Sequence, residues 1–284
     1  MKKLILTIIF TILVSQFIFS QNQYSLKQNN SKGGIFIYWG WNWGWYSNSN
    51  ISFKGDNYNF TLDKVVANDR QSKFNFNKYF NPKTITIPQY NFRIGYFISD
   101  HYSISFGIDH MKYVMQADQV VKISGNIDST GTIYDGSYND DYITLTEDVL
   151  IFEHTDGLNY INAEFRRFDE IVNLNKVRIN LTEGIGIGAL YPKTNTTLLN
   201  NKRYDEFHLA GYGISAVVAV NVTFYKYFFI QSEFKGGFIN MPDIRTTMFA
   251  TDKASQNFFF TQLNIVFGAT LNFSKNKTNI NNLD

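Results

Sequence analysis

Between residues 34 and 46 the odd positions are all apolar: Ile35, Ile37, Trp39, Trp41, Trp43 and Trp45 stand against Gly40, Asn42 and Gly44 on the even ones. Successive side chains of a strand point to opposite faces, so a period of two predicts a strand with one wholly apolar face. The same alternation returns in 89–98, 102–115, 159–168, 176–191, 207–222, 227–240 and 258–273. In 89–98, Tyr90, Phe92, Ile94, Tyr96 and Ile98 oppose Gln89, Asn91, Arg93 and Gly95; in 227–240, Phe228, Ile230 and Phe234 oppose Gln231, Glu233 and Lys235. Eight strands are expected.

The connections alternate in length. Tight turns are expected around Asp100, Asn173 and Tyr225, and long polar segments at 47–88 and 116–157, with medium loops at 192–206 and 241–257. Short turns at one end and long loops at the other are the layout of barrels that cross an outer membrane. A secreted soluble barrel would also alternate, but it would bury its apolar face around a ligand and coat the other with Lys, Glu and Thr. Here the polar face is rich in Gly, Ser and Asn, which suits a narrow, crowded lumen, and several strands exceed the roughly 9–11 residues that cross a bilayer at a tilt. The expectation is therefore an all-β chain: an eight-stranded antiparallel up-and-down transmembrane β-barrel over 34–273, preceded by a signal peptide. Ile51, Phe53, Tyr58, Phe60 and Leu62 alternate around Lys54-Gly55-Asp56, so the first hairpin is expected to continue above the membrane.

The N-terminus has Lys2 and Lys3, an apolar run from Leu4 to Phe19 and then Ser20, which reads as a secretory signal over 1–20. A short periplasmic segment, 21–33, would follow it, and a polar tail, 274–284, would follow the barrel. The chain has no cysteine, so an exported form would rely on packing and backbone pairing rather than disulfides. Its 284 residues are 17% aromatic and 18% charged, a composition that favours strands. The formal charge of +2 falls near zero once Lys2 and Lys3 leave with the signal, so a nucleic-acid partner is not expected.

Candidate chemistry is sparse. Arg93, Asp109, Glu164, Arg166, Arg178, Glu233 and Lys235 fall on the polar face and carry both signs; in a lumen just wide enough for side chains they are expected to pair with one another as a plug. Trp39, Trp41, Trp43 and Trp45 are expected on the lipid-facing wall, rising towards the outer interface, where an indole gains apolar burial and a wet partner for its N–H. His110, His154 and His208 fall near the outer ends of strands. Asp109, His110 and His154 are the candidates for acid–base work at an outer rim, although Asp109 and His110 have opposite parity. No ligand spacing such as HExxH occurs, and the acidic stretch Asp135–Asp141 lacks the closing Glu of a calcium loop, so neither metal nor cofactor is expected. Glu183 shares the apolar face with Leu181 and Ile185, where a charge is costly, and a bulge that turns it inward towards Arg166 or Arg178 is the expected solution.

The last strand, FTQLNIVFGATLNF, ends in aromatic Phe273 with apolar residues at alternate positions before it, and looks like the terminal signal read by barrel insertion machinery; here the tail follows it. In layout the mature chain resembles small OmpA/OmpX-type eight-stranded barrels. The runs YWGWN, TITIPQYNFRIGYF, DHMKYVM and FEHTDGLNY are similar to those of uncharacterised barrels of Gram-negative, Bacteroidetes-like bacteria. The resemblance implies an outer-membrane location, with outer-membrane lipid, lipopolysaccharide and the insertion machinery as partners, and it leaves any external ligand unnamed. A barrel fold does not fix a function. Surface presentation by the loops is the leading expectation, with an outer-leaflet lipid-modifying enzyme and a small diffusion channel as alternatives.

Overall fold

The computed structural model describes residues 31–201 and 203–272. The expected signal over 1–20, nearly all of 21–33, Phe273 and the tail 274–284 lie outside these. Among the described residues seventeen strands and one short helix follow in order: β1 (Gly34–Tyr46), β2 (Ser49–Lys54), β3 (Tyr58–Val65), β4 (Ala67–Asn68), α1 (Phe76–Phe80), β5 (Tyr90–Phe97), β6 (Tyr102–His110), β7 (Tyr113–Met115), β8 (Val120–Ile127), β9 (Gly136–Thr144), β10 (Leu150–His154), β11 (Tyr160–Asn173), β12 (Val177–Leu190), β13 (Lys193–Leu198), β14 (Tyr204–Phe207), β15 (Gly211–Phe224), β16 (Phe228–Arg245) and β17 (Lys253–Asn272). The expected count of eight is too low, because the segments expected as loops fold into strands of their own.

Eight strands form a trunk. The antiparallel order is β1, β5, β6, β11, β12, β15, β16, β17, and β17 pairs again with β1 from Gly34↔Asn272 to Tyr46↔Phe260. Cross-strand partners followed from Trp39 through Phe92, Ile108, Ile161, Ala189, Tyr212 and Asn240 arrive at Asn257, whereas Trp39 itself pairs with Phe267, ten residues further along β17. Such a stagger inclines every strand of the trunk. The hairpins at one end are tight. Tyr225 and Lys226 both have positive φ, 50° and 70°, as a type I′ turn requires, and Tyr227 N donates to Phe224 O at 3.1 Å.

Beyond the trunk the strands continue into a second body, the head. β17 outruns β1 and takes β2 as its new neighbour, with Gln256↔Ile51 and Lys253↔Lys54, and the same sheet goes on through β3, β8 and β9. A second sheet, ordered β14-β13-β10-β7-β4, holds the segments that adjoin β6, β11, β12 and β15 in sequence. The two sheets share an apolar core that includes Ile51, Phe53, Phe60, Leu62, Tyr113, Leu145, Phe152, Leu198, Met241 and Phe258, all buried. The β2–β3 hairpin lies within it. The acidic stretch that begins at Asp135 forms much of β9 at a sheet edge, where Asp140 pairs with Lys122 at 3.1 Å.

Inside and outside are inverted relative to a water-soluble fold. The outward positions of the trunk are a continuous apolar band that includes Ile37, Ile94, Ile104, Phe106, Phe165, Ile185, Ile214, Val218, Phe234 and Phe267, all exposed. The inward positions hold buried Arg93, Arg166 and Lys235. Glu183 is a correction: the β11–β12 register runs unbroken past Arg167↔Glu183, with its shift further along at Glu170/Val172, so no bulge intervenes and Glu183 is exposed on the outer wall. Arg167 stands opposite it and bonds Asp169 at 2.8 Å, so the outward charges are grouped rather than isolated.

Phe152→Ala in the head core should cost about 3–5 kcal/mol, the range for a large buried aromatic. Hydrogen exchange should then rise across β2, β3, β8 and β10 while the trunk strands keep their protection.

Candidate functional site

The trunk's interior is built by parity. β5 turns Asn91 and Arg93 inward, β6 turns Ser103, Ser105 and Asp109, β11 turns Asn162, Glu164 and Arg166, and β16 turns Gln231, Glu233 and Lys235. Six of these charges meet. Arg93 reaches Glu164 at 2.9 Å and Asp109 at 3.9 Å; Arg166 reaches Glu164 at 2.5 Å and Glu233 at 2.6 Å; Lys235 reaches Asp109 at 2.6 Å and Glu164 at 2.7 Å. Three cations balance three carboxylates, and every member is buried, so each charge finds compensation that water cannot supply there. Arg178 pairs across to Asn173 and Thr223 at the turn end of β12, six positions from the Gly184 that faces Arg166.

Tyr38, which the sequence reading passed over, is the hub of the network. Its hydroxyl accepts from Arg93 Nε at 3.0 Å and Arg166 Nη2 at 3.1 Å, and donates to Glu233 Oε1 at 3.1 Å. The available signal was its even number, which puts it on the face of Asn42 between glycines. Amides complete the set: Asn162 Oδ1 accepts from Arg93, Asn264 Nδ2 donates to Glu233, and Asn91 Nδ2 donates to Asp109. The glycines of β12 make the room. A Cβ on Gly184 would lie 2.6 Å from Arg166 Cγ, and one on Gly186 2.7 Å from Ser215 Oγ and 2.9 Å from Glu164 Cγ. On the turn side, the rings of Phe36, Phe97 and Phe168 pack within 5.0–6.3 Å of one another, with Phe229 against Tyr38. On the other side Tyr160, Phe260 and Ile239 begin the apolar core of the head. The polar middle lies between two apolar layers.

The candidate acid–base residues are not brought together. Asp109 belongs to the network. His110, one residue on, stacks on Tyr90 at 4.9 Å, and its Nδ1 contacts Asn159 Oδ1 at 2.8 Å. His154 lies in the head core, with Nδ1 2.9 Å from Thr194 Oγ1 and its ring against Tyr113 and Phe152. Burial drives its pKa down to about 3. His208 pairs with Asp243 at 3.2 Å at the edge of the head. Ser103 and Ser105, the hydroxyls nearest Asp109 in sequence, are buried in the lumen, and Ser105 accepts from Arg93 at 3.3 Å. Among the described residues no group of three or more His, Asp or Glu is arranged to hold a metal ion.

The four tryptophans project outward, with Trp45 more than half exposed. Trp39 and Trp41 meet edge to face at 4.9 Å. Trp41 differs from the expectation of a wet indole: Tyr79 and Phe80 of α1 lie 5.5 Å and 5.4 Å from it, and its buried N–H has no hydrogen-bond partner.

No family model matches the chain, and no curated protein does. Among solved structures it is similar to the outer membrane protein OprG of Pseudomonas aeruginosa, at 9% identity and a TM-score of 0.41 over 86% of this chain and 99% of that one. It is also similar to Ail, the attachment invasion locus protein of Yersinia pestis, at 10% and 0.34 over 84% and 99%. For the N-terminal β-barrel domain of Pseudomonas aeruginosa OprF the values are 8% and 0.28 over 84% and 98%. The resemblance to barrels of Bacteroidetes-like bacteria has no counterpart among these. With such scores the likenesses bear no weight on function, and the architecture stands on the chain's own strand pairing.

Two outcomes follow from this geometry. Lys235→Met leaves Asp109 and Glu164 short of a buried cation and should cost about 3–5 kcal/mol in urea unfolding from detergent micelles, as for other broken buried pairs. His154 is held neutral, so its contribution is intact above its unfolded pKa of 6.5 and is lost as pH falls from there towards about 3. Between pH 7 and roughly pH 4.5 the head should lose up to about 3 kcal/mol, read by proteolysis of the head, and His154→Gln should flatten that dependence.

Proposed function

We propose that this chain is an outer-membrane protein whose eight long strands close into a transmembrane barrel, with the head on the outer side, and that it works by presenting the head for surface contact. The observation that carries the reading is the inversion of the trunk: a belt of exposed Ile, Phe, Val and Trp surrounds a core of buried Arg, Lys, Glu and Asp. Monomeric soluble proteins rarely expose more than a few hundred Å² of contiguous apolar surface. In lipid, closed pairing satisfies every backbone group, which is what the β1–β17 ladder supplies. The ten-residue stagger fits a strand tilt of about 35–45°, usual for such barrels.

Presentation is favoured over transport because the lumen is filled. The ion-pair network, the Phe36, Phe97 and Phe168 rings and the head core occupy it in succession along its length. It is favoured over lipid chemistry because Asp109, His110 and His154 sit in three separate environments. Two folded sheets give the outer face a rigid surface, and a partner could dock there with little ordering cost. Placement at the envelope would bring outer-membrane lipid, lipopolysaccharide and the insertion machinery into contact with the chain.

Cysteine labelling of intact cells with a membrane-impermeant maleimide tests the placement, since the chain has no cysteine of its own. Ile133→Cys on the head should react on whole cells, and Lys226→Cys in the β15–β16 turn only after permeabilisation. Labelling of both on whole cells would remove the reading. The purified protein should also be silent in planar bilayers; stepwise conductance would put the channel in its place.

A further inference from the structure

The stretch between β4 and β5 combines cations with aromatic residues. Residues 70–88 contain Arg70, Lys73, Lys78 and Lys83 and not one Asp or Glu, interleaved with Phe74, Phe76, Tyr79, Phe80, Ile85 and Ile87. The segment is ordered locally: Asn75 caps α1 by accepting from Asn77 N and Lys78 N, Tyr79 OH donates to Ser72 O at 2.6 Å, and Thr84 Oγ1 donates to Asn77 O at 2.6 Å. Both ends are tied down, through Arg70 to Glu153 at 2.8 Å and through Ile87 O, which accepts from Lys112 Nζ at 3.0 Å.

Tyr79 and Phe80 lie on Trp41, which faces outward from β1, so α1 rests against the outer wall of the trunk rather than over its mouth. With its inner side spent on Trp41, the segment turns Phe74 and Phe76 away from the protein, at 73% and 69% exposure, and leaves Phe80 and Ile87 about half exposed. Lys73, Lys78 and Lys83 are exposed beside them. Aromatic rings directed outward and lysines without carboxylates among them, on the outer wall beside Trp41, match the two layers of a lipid leaflet: acyl chains, and anionic headgroups above them.

We propose that residues 72–88 form a foot that inserts Phe74, Phe76 and Phe80 into the outer leaflet and binds its anionic headgroups through Lys73, Lys78 and Lys83. The proposal rests on the barrel reading above and names the lipid class that the trunk's rim selects. The occupant is a lipid surface of net negative charge. Rings alone would sit equally well in zwitterionic lipid, whereas three exposed lysines with no acid among them give a preference for negative charge.

The test uses single cysteines carrying a fluorophore in the refolded chain, reconstituted in phosphatidylcholine vesicles with or without phosphatidylglycerol and quenched by lipid with brominated acyl chains. Asn77→Cys reports the foot, Ile185→Cys on the apolar belt reports the trunk, and Ile133→Cys reports the head. The expected result is strong quenching at 185, none at 133, and quenching at 77 that rises several-fold with phosphatidylglycerol. Adding Lys73→Gln, Lys78→Gln and Lys83→Gln should abolish the rise and leave the remainder; adding Phe74→Ser, Phe76→Ser and Phe80→Ser should abolish quenching at 77 altogether. If 185 is quenched and 77 behaves like 133, the foot is overturned and the barrel stands. If 77 is quenched equally in both lipids, the anionic preference is overturned. Absence of quenching at 185 overturns the barrel itself, and the foot with it.

Discussion

The closing ladder between β1 and β17 is the constraint on which the rest depends. Without it the trunk would be a sheet with two open edges, each a row of unpaired amides and carbonyls. With it, β17 becomes the spine of the molecule. Over its 20 residues it pairs with β16 along one side, and along the other with β1 and then with β2. One strand therefore belongs to both trunk and head, and the head needs no hinge or linker to hold its orientation.

Closure also fixes what the interior must contain. An eight-stranded ring leaves space only for side chains, and here that space changes character along single strands. Inward residues of β16 read Gln231, Glu233, Lys235, Gly237, Ile239 and Met241, and those from β6 through the two-residue link into β7 read Ser103, Ser105, Gly107, Asp109, Met111, Tyr113 and Met115. The change from polar to apolar marks where the ring gives way to two facing sheets. Below it, the lumen holds the paired charges and, towards the turns, the Phe36, Phe97, Phe168 and Phe229 rings; above it, the interior becomes an ordinary hydrophobic core.

Period-two alternation made the trunk legible: all eight of its strands were read from parity, and so was the inward placing of the six networked charges. Two things were not. Apart from the β2–β3 hairpin, which the alternation of Ile51, Phe53, Tyr58, Phe60 and Leu62 pointed to, the head was read as polar loops because its strands are short and because, past residue 110, the apolar side chains switch from the outer face to the inner one, so a rule that equates apolar with outward loses the thread. Glu183 failed in the opposite way. Parity placed it outward correctly, and a bulge was invoked to remove the cost of its charge, whereas the chain keeps a regular ladder and sets Arg167 across from it. Tyr38 was missed because a phenol ring was not counted among lumen polar groups, although its hydroxyl holds two guanidinium groups and a carboxylate together.

Because β16 and β17 run unbroken from the turn end of the trunk into the head, a partner that tugs on the head loads those strands lengthwise. Hydrogen bonds pulled along the strand axis share the force and resist together, whereas bonds peeled from an end fail one at a time. A load on the head would thus be passed along those strands to the wall of the trunk. In this molecule head and trunk are one continuous piece of fabric, woven on two shared strands.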